Sequence, residues 1–240
     1  MAHRARGLFA DSSGTRAPCA GPQCCGVLAV SPQVELLSRA WGVDDARLHF
    51  APVGIDTDFY RVQPWESAGA PLVVSAGEDV HRDHALLVEA VLIAREQCPG
   101  LGLELATALP ITAPSEVVTL HTERLYGRMR DLYRRSTLVA IAVRPNVITG
   151  SGLTVALEAM ASGRPVVMTD NPGIAHYVRH DVDGVLVPPG DPDAFARAIA
   201  DLARDPDRAR ALGEAGARRA RAEFSSERMA EHFASIIHGV

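Results

Sequence analysis

Lysine is absent from this chain of 240 residues; all 24 basic residues are arginine. Schiff-base chemistry on a lysine and a P-loop lysine are therefore excluded within it, and a phosphate would have to be met by arginine, backbone amides or hydroxyls. Genomic coding bias, visible also in the heavy use of alanine, accounts for the absence. Cysteine is scarce: Cys19, Cys24 and Cys25 crowd near the start and Cys98 stands alone. With no matching His or Cys cluster, neither a zinc site nor a disulfide framework is supported, and reduced thiols in a cytoplasmic protein are expected. Apolar runs such as Leu138 to Val143 fall far short of the roughly 20 residues of a membrane span, so a soluble protein is expected. An excess of basic charge is missing too. The net charge of −5 argues against a nucleic-acid partner, while 47% apolar and 22% charged residues are the balance of a globular domain.

Residues 1–26 carry no hydrophobic period and no apolar signal region, and are expected to form a disordered tail. Val27 to Val30 reads as a short strand, and Ser31-Pro32 opens a helix toward Ala40 that is closed by Gly42. Arg47 to Val53 reads as a second strand. From Leu72 the pattern alternates. Strands are predicted over 72–76, 101–106, 117–120, 138–143, 165–169 and 184–187, with helices over 84–96, 125–135 and 154–161 between them. Asp191-Pro192 and Asp205-Pro206 each pair an N-cap Asp with Pro at the first helical position, and a last helix runs from Ser225 or Ser226 toward Ile237. Short strands alternating with helices predict an α/β, Rossmann-like, doubly wound parallel sheet.

The stretch from Thr149 to Met160 carries the chemical signal. A glycine-rich loop leads from a strand into a helix, where backbone amides and the helix dipole suit a phosphate or pyrophosphate. Thr154 and Glu158 are four apart and share one helical face. Glu158 would repel a phosphate but could accept hydrogen bonds from a ribose diol. The alternative is a glycine turn with Glu158 solvated, since short glycine motifs alone are weak signals.

The order of motifs adds to this reading. From Val30 to Ile237 the sequence resembles the GT-B glycosyltransferases of the large retaining family that uses nucleotide-sugar donors. Val30-Ser31 followed by Pro52 to Phe59, Leu157 to Val167, Gly173-Ile174 and Gly184 to Asp191 are similar, in order, to that family's signature passages. The resemblance implies the C-terminal half of a GT-B fold. It places Glu158 where the family holds the ribose hydroxyls, and Gly152, Leu153 and Thr154 at the loop and helix tip facing the diphosphate. No metal and no cofactor are implied. The family's first Glu, which contacts the transferred sugar, falls at Gly150, unless Asn146 or Thr149 substitutes. Of the family's basic pair only Arg82 is a plausible cation, and Glu78 stands where Arg is expected. These departures mark either a branch of the family or lost catalysis. Arg82-Asp83-His84 together with Ser151 to Ala161 is similar to one such branch.

The resemblance divides the chain into a tail (1–26), the last strand and helix of an N-terminal domain (27–62), a nucleotide-sugar-binding domain (63–222) and a C-terminal helix expected to pack on the N-terminal domain (223–240). A truncated or split product, or a start placed too late, would explain the missing remainder. The implied activity is retaining transfer of a sugar from a nucleotide-sugar donor to an acceptor hydroxyl, the acceptor and the base being unidentified. A non-catalytic nucleotide- or protein-binding module is the alternative. A nucleotide-sugar epimerase is disfavoured because no Gly-x-Gly-x-x-Gly follows the first strand of the domain. Uncovered apolar surface at Val27 to Phe59 and at Phe233, Ile236 and Ile237 is expected to drive self-association or partner binding, and an N-terminal domain would carry any peripheral membrane contact. Arg144 is read as a solvated surface residue or a phosphate contact, His176 as an ordinary helix-face residue or one approaching the donor, His121 as either inert or bordering a base pocket, and Arg218 to Arg221 as a solvated helix face.

Overall fold

The computed structural model describes residues 27–29, 42, 44, 47–65, 69–145, 147 and 150–238. The expected tail, the helix over 31–40, the three early cysteines, Asn146 and Thr149 lie outside them. The chain divides into two compact units, one of Met1–Pro52 with Met229–Val240 and one of Val53–Arg228. In the first unit, strands β1 (Val27–Ala29) and β2 (Leu48–Phe50) pair in parallel.

The second unit carries a six-stranded parallel sheet built from β3 (Leu72–Ala76), β4 (Gly102–Ala106), β5 (Val118–His121), β6 (Leu138–Ile141), β7 (Val166–Thr169) and β8 (Val185–Val187). Their spatial order is β5-β4-β3-β6-β7-β8. The chain thus builds outward from β3 to one edge, returns to the centre, and builds outward again from β6. Helices are α1 (His84–Gln97), α2 (Met129–Arg135), α3 (Leu153–Ala161), α4 (Pro192–Arg204) and α5 (Pro206–Glu223); α6 (Ser226–His238) follows. Central strands β6 and β7 are buried at every position, as a parallel sheet covered on both faces requires. Helices α1 and α4 pack together, as do α3 and α5.

Local chemistry explains where the helices start. The carboxylates of Asp83, Asp191 and Asp205 accept from the backbone amides of Leu86 (3.2 Å), Ala194 (2.8 Å) and Arg208 (2.9 Å). Each satisfies a donor that the first helical turn leaves orphaned. The two Asp-Pro starts fall where the sequence placed them. The predicted helix over 125–135 opens as a 3-10 turn, Tyr126–Arg128, and continues as the α-helix α2 over Met129–Arg135.

Close approach of α5 to the segment after α3 depends on Gly213. A Cβ there would lie 2.9 Å from the Gly163 carbonyl carbon and 3.3 Å from the Pro165 nitrogen, both backbone atoms that cannot yield without moving the chain. Gly213→Ala is expected to lower unfolding free energy by about 2 kcal/mol, overpacking outweighing the helix-propensity gain of about 1 kcal/mol. Urea denaturation checks this, and a stabilised variant would refute it.

In the arginine run at 218–221, Arg218 and Arg221 are exposed as expected, and Arg219 corrects the solvated reading. Arg219 is only 8% exposed. It donates to the carbonyls of Tyr177 (3.0 Å) and His176 and to Asp183 Oδ2 (3.3 Å), and its guanidinium stacks 5.1 Å from the Phe224 ring. Asp183 has no exposed side-chain surface, so its charge is retained by pairing with Arg219 and Arg179. A run of like charges on one helix spans both faces, and period alone does not show which member meets a buried carboxylate. Cys98 is buried at the end of α1, with its thiol 3.7 Å from the Ala200 carbonyl.

Candidate functional site

The strand order reverses between β3 and β6, and the loops leaving their carboxyl ends form a crevice there. Those loops are tied to one another. Arg82 and Val143 form an antiparallel bridge, and the amides of Asp83 and Arg144 donate to the carbonyls of Ala142 (2.9 Å) and His81 (2.8 Å). Ser151 Oγ donates to the Asp79 carboxylate at 3.0 Å.

Arg82 sits at the centre of this crevice and is 3% exposed. Its Nη2 donates to the Ala76 carbonyl, while Nε and Nη1 have no partner among the described residues. Space for the guanidinium exists because Gly77 and Gly152 flank it without side chains. A Cβ on Gly77 would run into Nε, and one on Gly152 into Nη1 and to 2.5 Å from Ile141 Cγ2. Gly152, at φ +83°, also opens α3 in the left-handed conformation that glycine adopts without strain. Burial pulls the Arg82 guanidinium down to about 10, and the Asp79 carboxylate and then Tyr133 partly offset this. At neutral pH the crevice therefore holds a buried, under-satisfied cation, the setting in which an anion is favoured.

Glu158 lies on α3 and lines a cavity of about 380 Å³ together with Gly77, Thr107, Arg124, Tyr126, Tyr133 and Val155. It is not solvated. Tyr133 Oη donates to Glu158 Oε2 at 2.7 Å, and Tyr60 hydrogen-bonds the same carboxylate. Burial raises the Glu158 carboxyl above its usual range, and the bonds from Tyr133 and Tyr60 oppose that rise. A carboxylate offers about four acceptor positions, so two phenols leave room for a diol. The fully buried Tyr133 is held high by burial and then by Glu158.

Of the site residues expected from sequence, Arg82 and Gly152 meet in the crevice, and Glu158 faces the adjoining cavity. Leu153 buries its side chain, leaving only its backbone for a ligand, and its amide donates to the Gly150 carbonyl at 3.1 Å. Thr154 is exposed, and it is Val155, not Thr154, that lines the cavity beside Glu158. His121 is bound to Glu104 at 2.8 Å, with Arg135 on the same carboxylate, and does not line this cavity. Arg144 is exposed and lines a separate space of about 290 Å³ with Arg82 and His84. The ring of His176 packs edgewise on Tyr177 and Phe224.

Sequence reasoning missed Tyr133, Tyr60 and the cation Arg124 on the cavity wall. A signal for Tyr133 existed: a phenol on a buried helix face needs a partner, and so does a carboxylate one turn inside a buried helix. Among the described residues no cluster of three or more His, Cys, Asp or Glu side chains is placed to hold a metal ion. No described helix is long and apolar enough to cross a membrane.

A parallel sheet of this order, with its crevice at the central reversal, defines a Rossmann-like α/β domain, here with the architecture of the C-terminal half of GT-B glycosyltransferases. The profile of the group 1 glycosyl transferases matches residues 84–205, and the chain belongs to that family. It is 36% identical over 196 residues to the D-inositol 3-phosphate glycosyltransferase of Salinispora arenicola, a match covering 80% of this chain and 42% of that protein. The sucrose-phosphate synthase of Thermosynechococcus elongatus superposes with a TM-score of 0.70 at 25% identity, covering 88% of this chain and 57% of that one. HepE of Anabaena, solved in complex with UDP-glucose, superposes with a TM-score of 0.74 at 19% identity, covering 90% and 64%. The chain thus spans less than two thirds of each of these proteins.

Proposed function

We propose that this chain is the donor-binding portion of a retaining glycosyltransferase and takes a nucleotide-sugar. The observation that carries the reading is Arg82, a buried cation with two unpartnered N–H groups beside the glycine start of α3. The diphosphate would lie there, met by Arg82 and by the amides at Gly152 and Thr154, with the ribose diol on Glu158 one turn further along. In the transfer, the bond from the sugar's anomeric carbon to the diphosphate breaks and its electron pair leaves with the phosphate oxygen. The acceptor oxygen bonds to that carbon on the same face, and one proton is released overall. This chain's part is to hold the donor and to stabilise charge on the leaving diphosphate. That HepE binds UDP-glucose on the same fold supports UDP as the first nucleotide to test.

Calorimetric titration with UDP, GDP, ADP and dTDP tests the reading. Glu158→Gln is expected to weaken the preferred nucleotide by about 2 kcal/mol, some thirtyfold, since a charge-assisted acceptor becomes a neutral one. The pH dependence has a definite sign. The folded-state value of Glu158 is raised, so its proton favours the fold below the unfolded carboxylate range, and that contribution is lost as pH rises through the folded value. The same proton removes acceptor capacity. Wild-type affinity should therefore fall more steeply on acidification than that of Glu158→Gln, and parallel profiles would remove Glu158 from the site.

A second reading, a nucleotide-binding module without transfer activity, is favoured by Gly150, which offers no side chain to a sugar, and by Glu78 on the cavity wall. Transfer activity on supplying an N-terminal domain separates the two.

A further inference from the structure

The cavity holding Glu158 has an aromatic side chain on its rim that the donor reading leaves unused. Tyr126 opens the turn after β5, is 77% exposed, and has φ +46°. A bulky residue in the left-handed region is strained, and an exposed ring gains no burial to offset that strain. Its hydroxyl bonds to no described residue. Strain without local compensation is the pattern of ligand clamps.

Its place along the sheet suggests what it clamps. Reading across the strand order from the β3–β6 reversal, Arg82 and Gly152 come first, the cavity passes the ends of β3 at Gly77 and of β4 at Thr107, and Tyr126 follows β5. In a nucleoside diphosphate the phosphate and the base leave the ribose at opposite ends. With the diphosphate at Arg82 and the diol on Glu158, the base is carried toward Tyr126. We propose that the Tyr126 ring stacks on the donor's nucleobase and sets much of its affinity, an inference that rests on the donor reading above. Stacking needs only a π-face, so the hydroxyl is dispensable.

The test is titration of the full chain with the four nucleoside diphosphates and with inorganic pyrophosphate, on wild type and on Tyr126→Phe, Tyr126→Ala and Tyr126→Gly. Tyr126→Phe should keep affinity for the preferred nucleotide within about twofold, because its ring can stack equally well. Tyr126→Ala and Tyr126→Gly should each lose about tenfold or more, and pyrophosphate binding should not change. Tyr126→Gly should be at least as resistant to urea as wild type, because glycine relieves the strain, so lost affinity could not be a folding defect. Unchanged nucleotide affinity in Tyr126→Ala, with binding still dependent on Glu158, would overturn this inference and leave the donor reading standing. Equal weakening of pyrophosphate would overturn it as well. A folded wild type that binds no nucleotide would overturn both.

Discussion

Replacing Arg82 with methionine is expected to leave the fold intact and abolish most diphosphate binding. The two consequences have separate physical causes. In the fold, the guanidinium is buried with two donors unmatched, so an apolar side chain of similar length removes a desolvation cost while giving up the bond to the Ala76 carbonyl. These nearly cancel, and unfolding free energy should change by less than about 1 kcal/mol. For the ligand, the variant loses the cation on which the proposed diphosphate site depends. A charge-assisted contact in a water-poor crevice is worth about 3 kcal/mol, so affinity for a nucleoside diphosphate should fall roughly a hundredfold. Urea denaturation and calorimetry on the same preparation check both halves. A variant that unfolds, or that binds as tightly as wild type, would make Arg82 a structural residue only.

Arg164→Ala should act in the opposite sense, on the fold first. Arg164 is fully buried in the turn between α3 and β7. It donates to the carbonyls of Tyr133 (2.7 Å), Arg134 (2.8 Å) and Pro64 (3.0 Å), and its guanidinium lies 4.5 Å from the centre of the Trp65 ring. Two of those carbonyls belong to the last turn of α2, whose exposed dipole end favours a cation. Alanine would strand the buried Tyr133 carbonyl, unpair those of Arg134 and Pro64, and leave a cavity beneath Trp65. The expected loss is about 3 to 5 kcal/mol of unfolding free energy, followed through the change in Trp65 fluorescence. Arg164→Lys should recover less than half of it, because an ammonium lacks the planar fork that reaches three carbonyls. A loss below about 1 kcal/mol would mean that water replaces the side chain. Since α2 also carries Tyr133, the donor to Glu158, a folded fraction of the variant should bind nucleotide more weakly.

Much of the fold was legible because its signals are local. Leu72 to Ala76 is an unbroken apolar strand between turn residues, and it forms β3 with the same bounds. The Asp-Pro starts of α4 and α5 were equally clear, since an N-cap and a proline at the first helical position act within four residues. The segment over 125–135 was misread in its first turn because an amphipathic period does not distinguish a 3-10 start from an α-helical one. In the site, Arg82, Gly152 and Glu158 were legible from residue type and order. For Tyr133 only the need for a partner was legible, not which partner, because Glu158 is 25 positions away and a contact at that separation leaves no periodic trace.

The amino-acid sequence by itself determined the alternation of strand and helix, the glycine loop entering α3, and the lack of any lysine to meet a phosphate. Tertiary structure alone decided which of the described arginines are buried: Arg82 in the crevice with two nitrogens unmatched, Arg164 and Arg219 in turns and helices with their carbonyls found. The physical reason is that propensity, capping and hydrophobic period act between neighbours in the chain. Desolvation of a charge depends instead on which distant backbone and side-chain groups the closed sheet brings within hydrogen-bonding reach.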